Sequence, residues 1–554
     1  MQSRSLNLTV FQFARQVFAG AAMALIASAG NYLHAQDPNA TSTPVVLSNP
    51  SLSFGAGATS APVRGMRVGQ DNGPKVDRPL RQFKGGGATK PGGGGGGSTD
   101  PVVQSSSYTS VGTLATSHNL EGIGNGFPGF TVNSAPPDTN GAVGATQYVQ
   151  WVNESFAVFD KNTGSVVAGP IAGNQLFLAL GSTHPCVVNN DGDPIAQYDK
   201  ANNRWILTQF SVTNGGTIGY WQCIAVSQTS DATGKYNVYA YKQPSFNDYP
   251  KIGVFNGVYF ATYNMFSGNT FAGARLCAYD GSSMRAGAAA AAEQCFQLST
   301  SYGGVLPGDV DGITAPPSGA SEYFVNFGTN ALNTWRFHVD FTNSANSTLS
   351  GPYSTTVATF AEACSGGTCI PQPGTRQQLD SLADRLMYRL SYRHFADGHE
   401  ALFVNHSVNP GSVASGSRWY ELRPASGGST GVTVYQQSTY APADGLSRWM
   451  GSIASDKAGN LALGYSTSSG TAYPSIRYSY RTPSDPLDKM GSEQLLLSGT
   501  GAQQRTLSRW GDYSAMSVDP VDDCTMWYTN EYLAANGTFN WHTRIGSFKV
   551  NGCQ

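Results

Sequence analysis

Acidic residues recur in the sequence shortly before apolar runs whose alternation is typical of β-strands. These residues are Asp138, Asp193, Asp248, Asp311, Asp384 and Asp512. Carboxylates that converge on one face could bind a divalent cation or serve as general acids and bases. The alternative is structural, because an aspartate before a strand also caps a turn or pairs with an arginine of the next repeat. The catalytic candidates among them are Asp193, Asp248 and Asp512.

Three arginines recur at every fourth position in DRLMYRLSYRH, residues 384–394. On a strand, Arg385, Arg389 and Arg393 lie on one face, where they must be paired or meet water. They could hold the carboxylates of an anionic glycan, or form an ion-pair ladder with the recurring aspartates. A lyase would use such an arginine with a histidine or tyrosine base. The candidates for these roles are Arg385, Arg389, His394 and Tyr513.

Trp419, Trp449 and Trp510 each follow an arginine directly in the sequence. Aromatic faces beside polar groups suit sugar rings, which present C–H faces and hydroxyl rims. Aromatic residues at this density also pack one sheet against the next. The candidate ligand-binding residues are Trp419, Trp449, Trp510, Arg448 and Arg509.

One loop, NNDGD at residues 189–193, carries oxygen ligands at alternate positions. Hard cations such as calcium prefer several carboxylate and amide oxygens from a turning backbone. Asn189, Asp191 and Asp193 are therefore the candidate ligands of a structural calcium ion. Ordinary turns closed by Asn and Asp side chains are the alternative.

These residues are embedded in short aromatic and β-branched runs that begin near Tyr108 and are separated by Gly, Asn, Asp and Pro. Many short strands at spacings of about ten residues predict an all-β sandwich, barrel or propeller. The acidic positions, together with Trp449, recur at roughly 60 residues, which is enough for a four-stranded sheet with long loops. We therefore predict a seven-bladed β-propeller over residues 108–554, with six or eight blades or paired β-sandwiches as alternatives. A strand at 107–116 should complete a sheet with the last strand, 544–550.

The first part of the chain has a different composition. Residues 1–35 combine early arginines, a short apolar stretch and A-x-A, the pattern of a secretory signal peptide. Residues 36–107 are rich in Gly, Pro, Ser and Thr, and predict a disordered spacer. No other apolar run approaches the roughly 20 residues that span a bilayer. We expect a secreted protein, extracellular or at the cell surface, or periplasmic in a bacterium with two membranes.

The cysteines fit an exported chain, because an even number in such a chain predicts disulfides. Pairing in sequence order is the simplest arrangement for the 8 cysteines. It gives the pairs Cys186–Cys223, Cys277–Cys295, Cys364–Cys369 and Cys524–Cys553.

Charged residues make up 12% of the chain and the formal net charge is -2. Affinity for nucleic acid depends on an excess of Lys and Arg, so this balance excludes an electrostatic nucleic-acid binder.

Several long strings carry a resemblance to known proteins: PPDTNGAVG, QYVQWVNESFAVFDK, NNDGDPIAQYDK, DRLMYRLSYR, YPSIRYSYR and RWGDYSAMSVDPVDDCTMWYTNEYL. In them, the chain resembles a group of exported, mostly bacterial proteins of uncharacterised function. The resemblance covers nearly all of residues 130–553. It implies a propeller-like repeat layout and assigns no chemistry to individual residues.

Two functions follow from these patterns. The first is a secreted, monomeric binding or adhesion propeller for an extracellular carbohydrate. The second is a hydrolase or polysaccharide lyase that acts at the propeller mouth, where two carboxylates would have to lie about 5–10 Å apart. The sequence leaves the choice between binding and catalysis open.

Overall fold

A computed structural model of the chain describes residues 44–69, 75–77, 100–425 and 431–554. Strands dominate this part of the chain, and its helices are short. The α-helices are α1 Pro185–Val188, α2 Gly215–Ile218 and α3 Gly281–Ala286, and the 3₁₀ segments are Val63–Gly65, Gly173–Leu180, Ser344–Asn346 and Ala363–Gly366. Among the described helices, none has the length and apolar character needed to cross a membrane. The predicted signal peptide lies outside the described residues.

Six strands precede the repeated part of the structure. They are β1 Val45–Ser48, β2 Ser51–Thr59, β3 Val76–Asp77, β4 Val103–Gln104, β5 Leu114–Glu121 and β6 Ser134–Ala135. Four of them pair with strands far along the chain, and the other two, β3 and β6, pair with each other.

The rest of the fold consists of successive four-stranded antiparallel units, which we call meanders. Meander 1 is β7 Asn140–Val143, β8 Gln147–Val152, β9 Ser155–Asp160 and β10 Val166–Ala172. Meander 2 is β11 Ile195–Asp199, β12 Arg204–Ser211, β13 Tyr220–Ser227 and β14 Tyr236–Gln243. Meander 3 is β15 Phe246–Phe255, β16 Val258–Ser267, β17 Thr270–Tyr279 and β18 Ala290–Gln297. Meander 4 is β19 Leu306–Asp311, β20 Glu322–Gly328, β21 Ala331–His338 and β22 Thr348–Thr356.

A small hairpin, β23 Thr368–Ile370 and β24 Leu379–Asp380, separates meander 4 from meander 5. Meander 5 is β25 Met387–His394, β26 Glu400–Val408, β27 Gly416–Pro424 and β28 Val432–Tyr440. Meander 6 is β29 Ser447–Ser455, β30 Leu461–Ser468, β31 Ser475–Arg481 and β32 Gln494–Leu497. Meander 7 takes three strands from the end of the chain, β33 Ala515–Val518, β34 Met526–Tyr532 and β35 His542–Val550.

The fourth strand of meander 7 is β5, which pairs antiparallel with β35. The expected union of the two ends of the domain is confirmed, although the strand occupies Leu114–Glu121 rather than residues 107–116. The first strand of each meander contacts the first strand of the next, and β33 contacts β7. The first strands of the seven meanders therefore form a closed series.

Local sequence explains how the strands reverse and approach one another. Asn256 and Gly257 join β15 to β16 with φ of 50° and 73°, the left-handed pair of a tight hairpin turn. Gly253 of β15 is needed because a Cβ atom there would lie 2.1 Å from the carbonyl oxygen of Gly308 in β19. The inner strands of meanders 3 and 4 thus pack backbone against backbone.

The apolar core is divided between the faces of neighbouring meanders. One buried cluster joins meanders 1 and 2, another joins meanders 3, 4 and 5, and others join meanders 5 and 6 and meanders 6 and 7. The largest cluster contains residues of every first strand except β19, and includes Tyr249, Trp449 and Tyr513. The inner strands are held together by large aromatic side chains.

The prediction of a disordered spacer over residues 36–107 is wrong for its described parts. Strand β2 lies between β14 of meander 2 and β18 of meander 3, and is antiparallel to both. Strand β1 extends meander 4 along β22, and β4 runs parallel to β28 of meander 5. These strands satisfy the backbone donors and acceptors of outer strands, which offsets the ordering cost of a Gly- and Ser-rich segment.

All four predicted cysteine pairs are confirmed. The pairs Cys186–Cys223, Cys277–Cys295, Cys364–Cys369 and Cys524–Cys553 are disulfides, and no cysteine of the chain is free. Four disulfides are typical of a protein from an oxidising compartment.

Candidate functional site

Six meanders share an unusual backbone conformation just before or within their first strand. The residues with positive φ are Asp138 (51°), Asp193 (45°), Tyr249 (53°), Leu382 (45°), Met450 (52°) and Asp512 (60°). We call these positions the lead-in residues. Asp is among the few residues other than Gly that tolerate this conformation, whereas large apolar residues are strained in it. The recurrence of Asp in the sequence therefore follows in part from a backbone requirement.

Lys251 follows the lead-in residue of meander 3 and is fully buried. Its Nζ lies 3.4 Å from the ring centre of Tyr249 and 4.1 Å from that of Tyr513. Burial lowers the pKa of Lys251 to about 7, although Asp193, Asp138 and Asp512 favour its charged form. A lysine held in this way titrates near neutral pH.

Hydrogen bonds tie the segments around Lys251 together. The backbone N–H of Tyr249 donates to Oδ2 of Asp193 over 3.1 Å, and its phenol donates to the carbonyl of Asp512 over 3.2 Å. The phenol of Tyr513 donates to the carbonyl of Pro194 over 3.0 Å. Meanders 2, 3 and 7 therefore converge on one group of side chains.

Arg385 adds a second cation from meander 5. Its guanidinium carbon lies 4.4 Å from the ring centre of Tyr249, and its Nε donates to Asp384 over 2.7 Å. We call the whole group the lead-in cluster, and its members are Asp138, Asp193, Tyr249, Lys251, Arg385, Arg509, Asp512 and Tyr513. Four of the predicted catalytic residues, Asp193, Arg385, Asp512 and Tyr513, belong to it.

Sequence reasoning missed Tyr249 and Lys251. The available signal was a lone lysine in the apolar run YPKIGVF, directly after the selected Asp248. Asp248 itself is partly exposed in β15, where it pairs with Asn264 of β16.

The other arginine candidate, Arg389, lies in a buried ion network between meanders 2, 4 and 5. Its Nη1 donates to Oδ2 of Asp311 over 2.8 Å, and its Nε lies 3.5 Å from Asp309. Lys200 lies 3.1 Å from the same Asp311. Against the cost of burial, Arg389 and Lys200 lower the pKa of Asp311 to about 2.

Arg393 makes a similar link, because its guanidinium donates to both oxygens of Asp523, over 2.9 and 2.7 Å. Arg389 and Arg393 thus support the ion-pair alternative rather than a clamp for an anionic glycan. His394 lies at the end of the same strand, with Nδ1 2.7 Å from the carbonyl oxygen of Ala315.

The predicted ligand-binding residues are buried, which contradicts a role as an open platform for sugars. Trp419, Trp449 and Trp510 are all 0% exposed, and the rings of Trp449 and Trp510 lie 6.0 Å apart. Arg448 pairs with Asp444 and Glu493, and Arg509 pairs with Asp512. The sequence cannot distinguish a packed tryptophan from an exposed one.

The predicted calcium ligands do not converge. Asp191 accepts backbone N–H groups of Val212 and Thr213 over 2.6 and 2.8 Å. Asn189 donates to Ser211, whereas Asp193 faces Tyr249. These contacts join the loop to the end of β12, to the segment after it and to β15, so they form neither a shared ion site nor a turn closed by its own side chains.

Among the described residues, the one tight group of metal-ligating types is Cys277, Glu293 and Cys295. Its two cysteines form a disulfide, so they offer no thiolate.

Comparison with known proteins gives weak likenesses only. No protein-family model and no curated protein matches the chain. A protein of unknown function from Dyadobacter fermentans is similar with a TM-score of 0.35 and 11% identity, over 65% of this chain and 94% of that one. The N-terminal domain of Nup159 gives 0.33 and 8%, over 81% and 99% of the two chains. A PL25 ulvan lyase bound to -[GlcA(1-4)Rha3S]- gives 0.32 and 11%, over 77% and 97%. These values assign no activity, and the description of the fold rests on the chain's own strand pairing.

Proposed function

We propose that the chain is a secreted seven-bladed β-propeller whose blades are meanders 1 to 7. The support is the closed series of first strands and the completion of meander 7 by β5, which joins the two ends of the domain. The four disulfides support a secreted location.

We propose further that this propeller binds an extracellular glycan without transforming it. The observation that carries this proposal is that four of the seven candidate catalytic residues are buried and engaged within the fold, namely Arg385, Arg389, Asp512 and Tyr513. The phenol of Tyr513 donates to a carbonyl, Asp512 pairs with Arg509, and Arg389 pairs with Asp311. Such groups stabilise a rigid scaffold, on which exposed residues at the ends and edges of the strands bind ligand.

One observation favours the second candidate, a glycan hydrolase or lyase. Lys251 has a pKa lowered to about 7, which suits a general base. The partly exposed Asp248 shortly precedes it in the chain, and the partly exposed Asp193 favours its charged form. This hypothesis requires the lead-in cluster to open toward the substrate.

A panel of immobilised neutral and acidic polysaccharides tests both candidates. The binding function predicts retention on one class of polysaccharide, with no new reducing ends and no ultraviolet absorbance of an unsaturated product. Retention accompanied by product, abolished by Lys251→Met, would establish the enzyme instead. A chain that is retained on no member of the panel and makes no product would contradict the proposed function.

A further inference from the structure

Trp221 is the one tryptophan of the chain that reaches the surface. The sequence has 9 tryptophans, all in the described residues, and the other eight are buried. Trp221 lies at the start of β13 in meander 2 and is partly exposed. Tryptophan is costly to leave in water, and at binding surfaces its large rigid face supplies contact area.

The indole of Trp221 is held in one orientation. Its Nε1 donates to the carbonyl of Ile218 over 3.2 Å, and the ring of His184 lies edge-on to it, 4.9 Å away between centroids. The disulfide Cys186–Cys223 links the residues two positions beyond His184 and Trp221. A covalent bond therefore fixes the two rings against each other.

Polar groups extend from Trp221 across the sheet. Ser211 of β12 and Lys242 of β14 are its direct partners on the two neighbouring strands, so their side chains lie on the same face. Asn189 donates to the hydroxyl of Ser211 over 3.0 Å. A row of Asn189, Trp221 and Lys242, with the buried Ser211 beneath it, thus combines an amide, an aromatic ring and a cation.

His184 contributes a hydrogen-bond donor to this row. Its Nδ1 accepts the backbone N–H of Cys186 over 3.1 Å, and burial lowers its pKa, so the neutral ring carries its proton on Nε2.

The charge of this surface is set by Lys242, which is exposed. The two segments beside it, residues 181–190 and 211–222, contain no charged residue. The carboxylate of Asp191, which follows the first segment, is buried and accepts the backbone N–H groups of Val212 and Thr213. A single cation next to an aromatic face complements a sugar that carries one negative charge on its ring.

We propose that Trp221, His184, Asn189 and Lys242 form a subsite for a hexuronate unit of an extracellular polysaccharide. The C–H face of the pyranose stacks on Trp221, and the carboxylate meets the ammonium group of Lys242. The proposal takes its ligand class from the proposed binding function, but its site is separate from the lead-in cluster.

The test uses the full chain with two probes, tetragalacturonate and uncharged maltotetraose, and follows tryptophan emission with acrylamide as a quencher. We expect tetragalacturonate to protect the quenchable fraction of the emission, because that fraction belongs to Trp221. Trp221→Ala should weaken binding about tenfold or more, as expected for an aromatic hot spot. Trp221→Tyr keeps an aromatic face and should lose less.

Lys242→Met keeps the aliphatic side chain, and should reduce the preference for tetragalacturonate over maltotetraose. Lys235→Met is its matched control, since Lys235 is also exposed and lies just before β14, at the opposite end from Lys242. Unchanged affinity in both Trp221 variants would overturn this inference and leave the binding function standing. A preference for maltotetraose would overturn the uronate assignment, and a wild-type protein retained on no polysaccharide would overturn the binding function and this inference together.

Discussion

Asp512 and Met450 share a left-handed backbone at the lead-ins of meanders 7 and 6, with φ of 60° and 52°, although Asp512 lies one position further beyond the shared Ser-Arg-Trp, after the left-handed Gly511. Their surroundings in sequence, SRWGDYSAM and SRWMGSIAS, are two copies of one pattern. The feature that repeats is the conformation of the backbone, not the carboxylate. The additional role of Asp512 is its ion pair with Arg509, whose side chain is 9% exposed.

Asp512→Asn should therefore be strongly destabilising. Asn tolerates the left-handed conformation, so this change removes the charge that lies nearest to the buried Arg509, while Asp380 and Asp138 still favour its charged form. We expect the free energy of unfolding to fall by about 1.5–3 kcal/mol, measured by chemical denaturation. In the control, Asp444→Asn, the lost carboxylate is 41% exposed and Arg448 keeps Glu493, so the fall should stay below about 1 kcal/mol. Equal effects of the two variants would contradict the assigned role of Asp512.

Local patterns predict the all-β class, the union of the two ends of the domain and the four disulfides. The strands alternate in sequence, and the spacing of Asp138, Asp193 and Asp512 follows one backbone requirement repeated along the chain. Strand alternation and the recurrence of aspartate both depend on the local backbone, so the sequence shows them without information on which residues pack nearby in the fold.

What the sequence could not show depends on contacts between distant residues. SLSFGAGAT has no strand pattern, yet it is β2 because β14 and β18 pair with it on both sides. Burial is equally non-local, so the sequence indicates Trp449 and Trp510 as ligand-binding residues although they are buried, and gives no sign that Trp221 is partly exposed. The sequence does not indicate a role for Lys251, because only folding brings Tyr513 and Asp193 close to Tyr249 and Lys251.

Gly57→Val should destabilise β2 and its pairing with meanders 2 and 3. A Cβ atom at position 57 would lie 2.5 Å from the carbonyl oxygen of Ala288 and 2.6 Å from the ring of Tyr239. We expect a loss of about 1–3 kcal/mol from overpacking, with faster amide hydrogen exchange in β14 and β18. Phe54→Tyr on the same strand is the control, because that side chain is 64% exposed. Unchanged exchange in β14 and β18 would show that β2 does not protect them.

Glu362→Gln should stabilise the protein in alkaline but not in acidic solution. Burial, and next the charge of Asp384, raise the pKa of Glu362 to about 7, from 4.5 in the unfolded chain. The folded state binds more protons than the unfolded state between these values, so the carboxyl group costs stability as the pH rises through that window. Gln has no proton to lose. We expect the variant to match the wild type at about pH 4 and to exceed it by about 1–2 kcal/mol at about pH 8, after allowance for partial exposure. A difference that does not change with pH would contradict the shifted pKa.

Lys251→Met should remove a pH dependence of the opposite sign. Burial lowers the pKa of Lys251 from 10.5 to about 7 in the folded state. Between these values the unfolded chain binds the proton and the folded protein does not, so stability from this group rises with pH. Met fills similar space and has no charge, so the variant lacks this contribution.

Chemical denaturation of both proteins at several pH values isolates the effect of Lys251, since all other titrating groups are shared. The stability of the wild type relative to Lys251→Met should increase by about 1–2 kcal/mol between about pH 7.5 and pH 9, because one proton corresponds to about 1.4 kcal/mol per pH unit. Below about pH 6 the difference should be constant, since both states then bind the proton. Loss of Lys251 also leaves Asp138, Asp193 and Asp512 with less compensating charge. This effect changes the stability difference between the two proteins by a similar amount at every pH. The test of the lowered pKa is therefore the slope of this stability difference against pH above pH 7. A difference that does not change over that range would show that Lys251 keeps an ordinary pKa between the rings of Tyr249 and Tyr513.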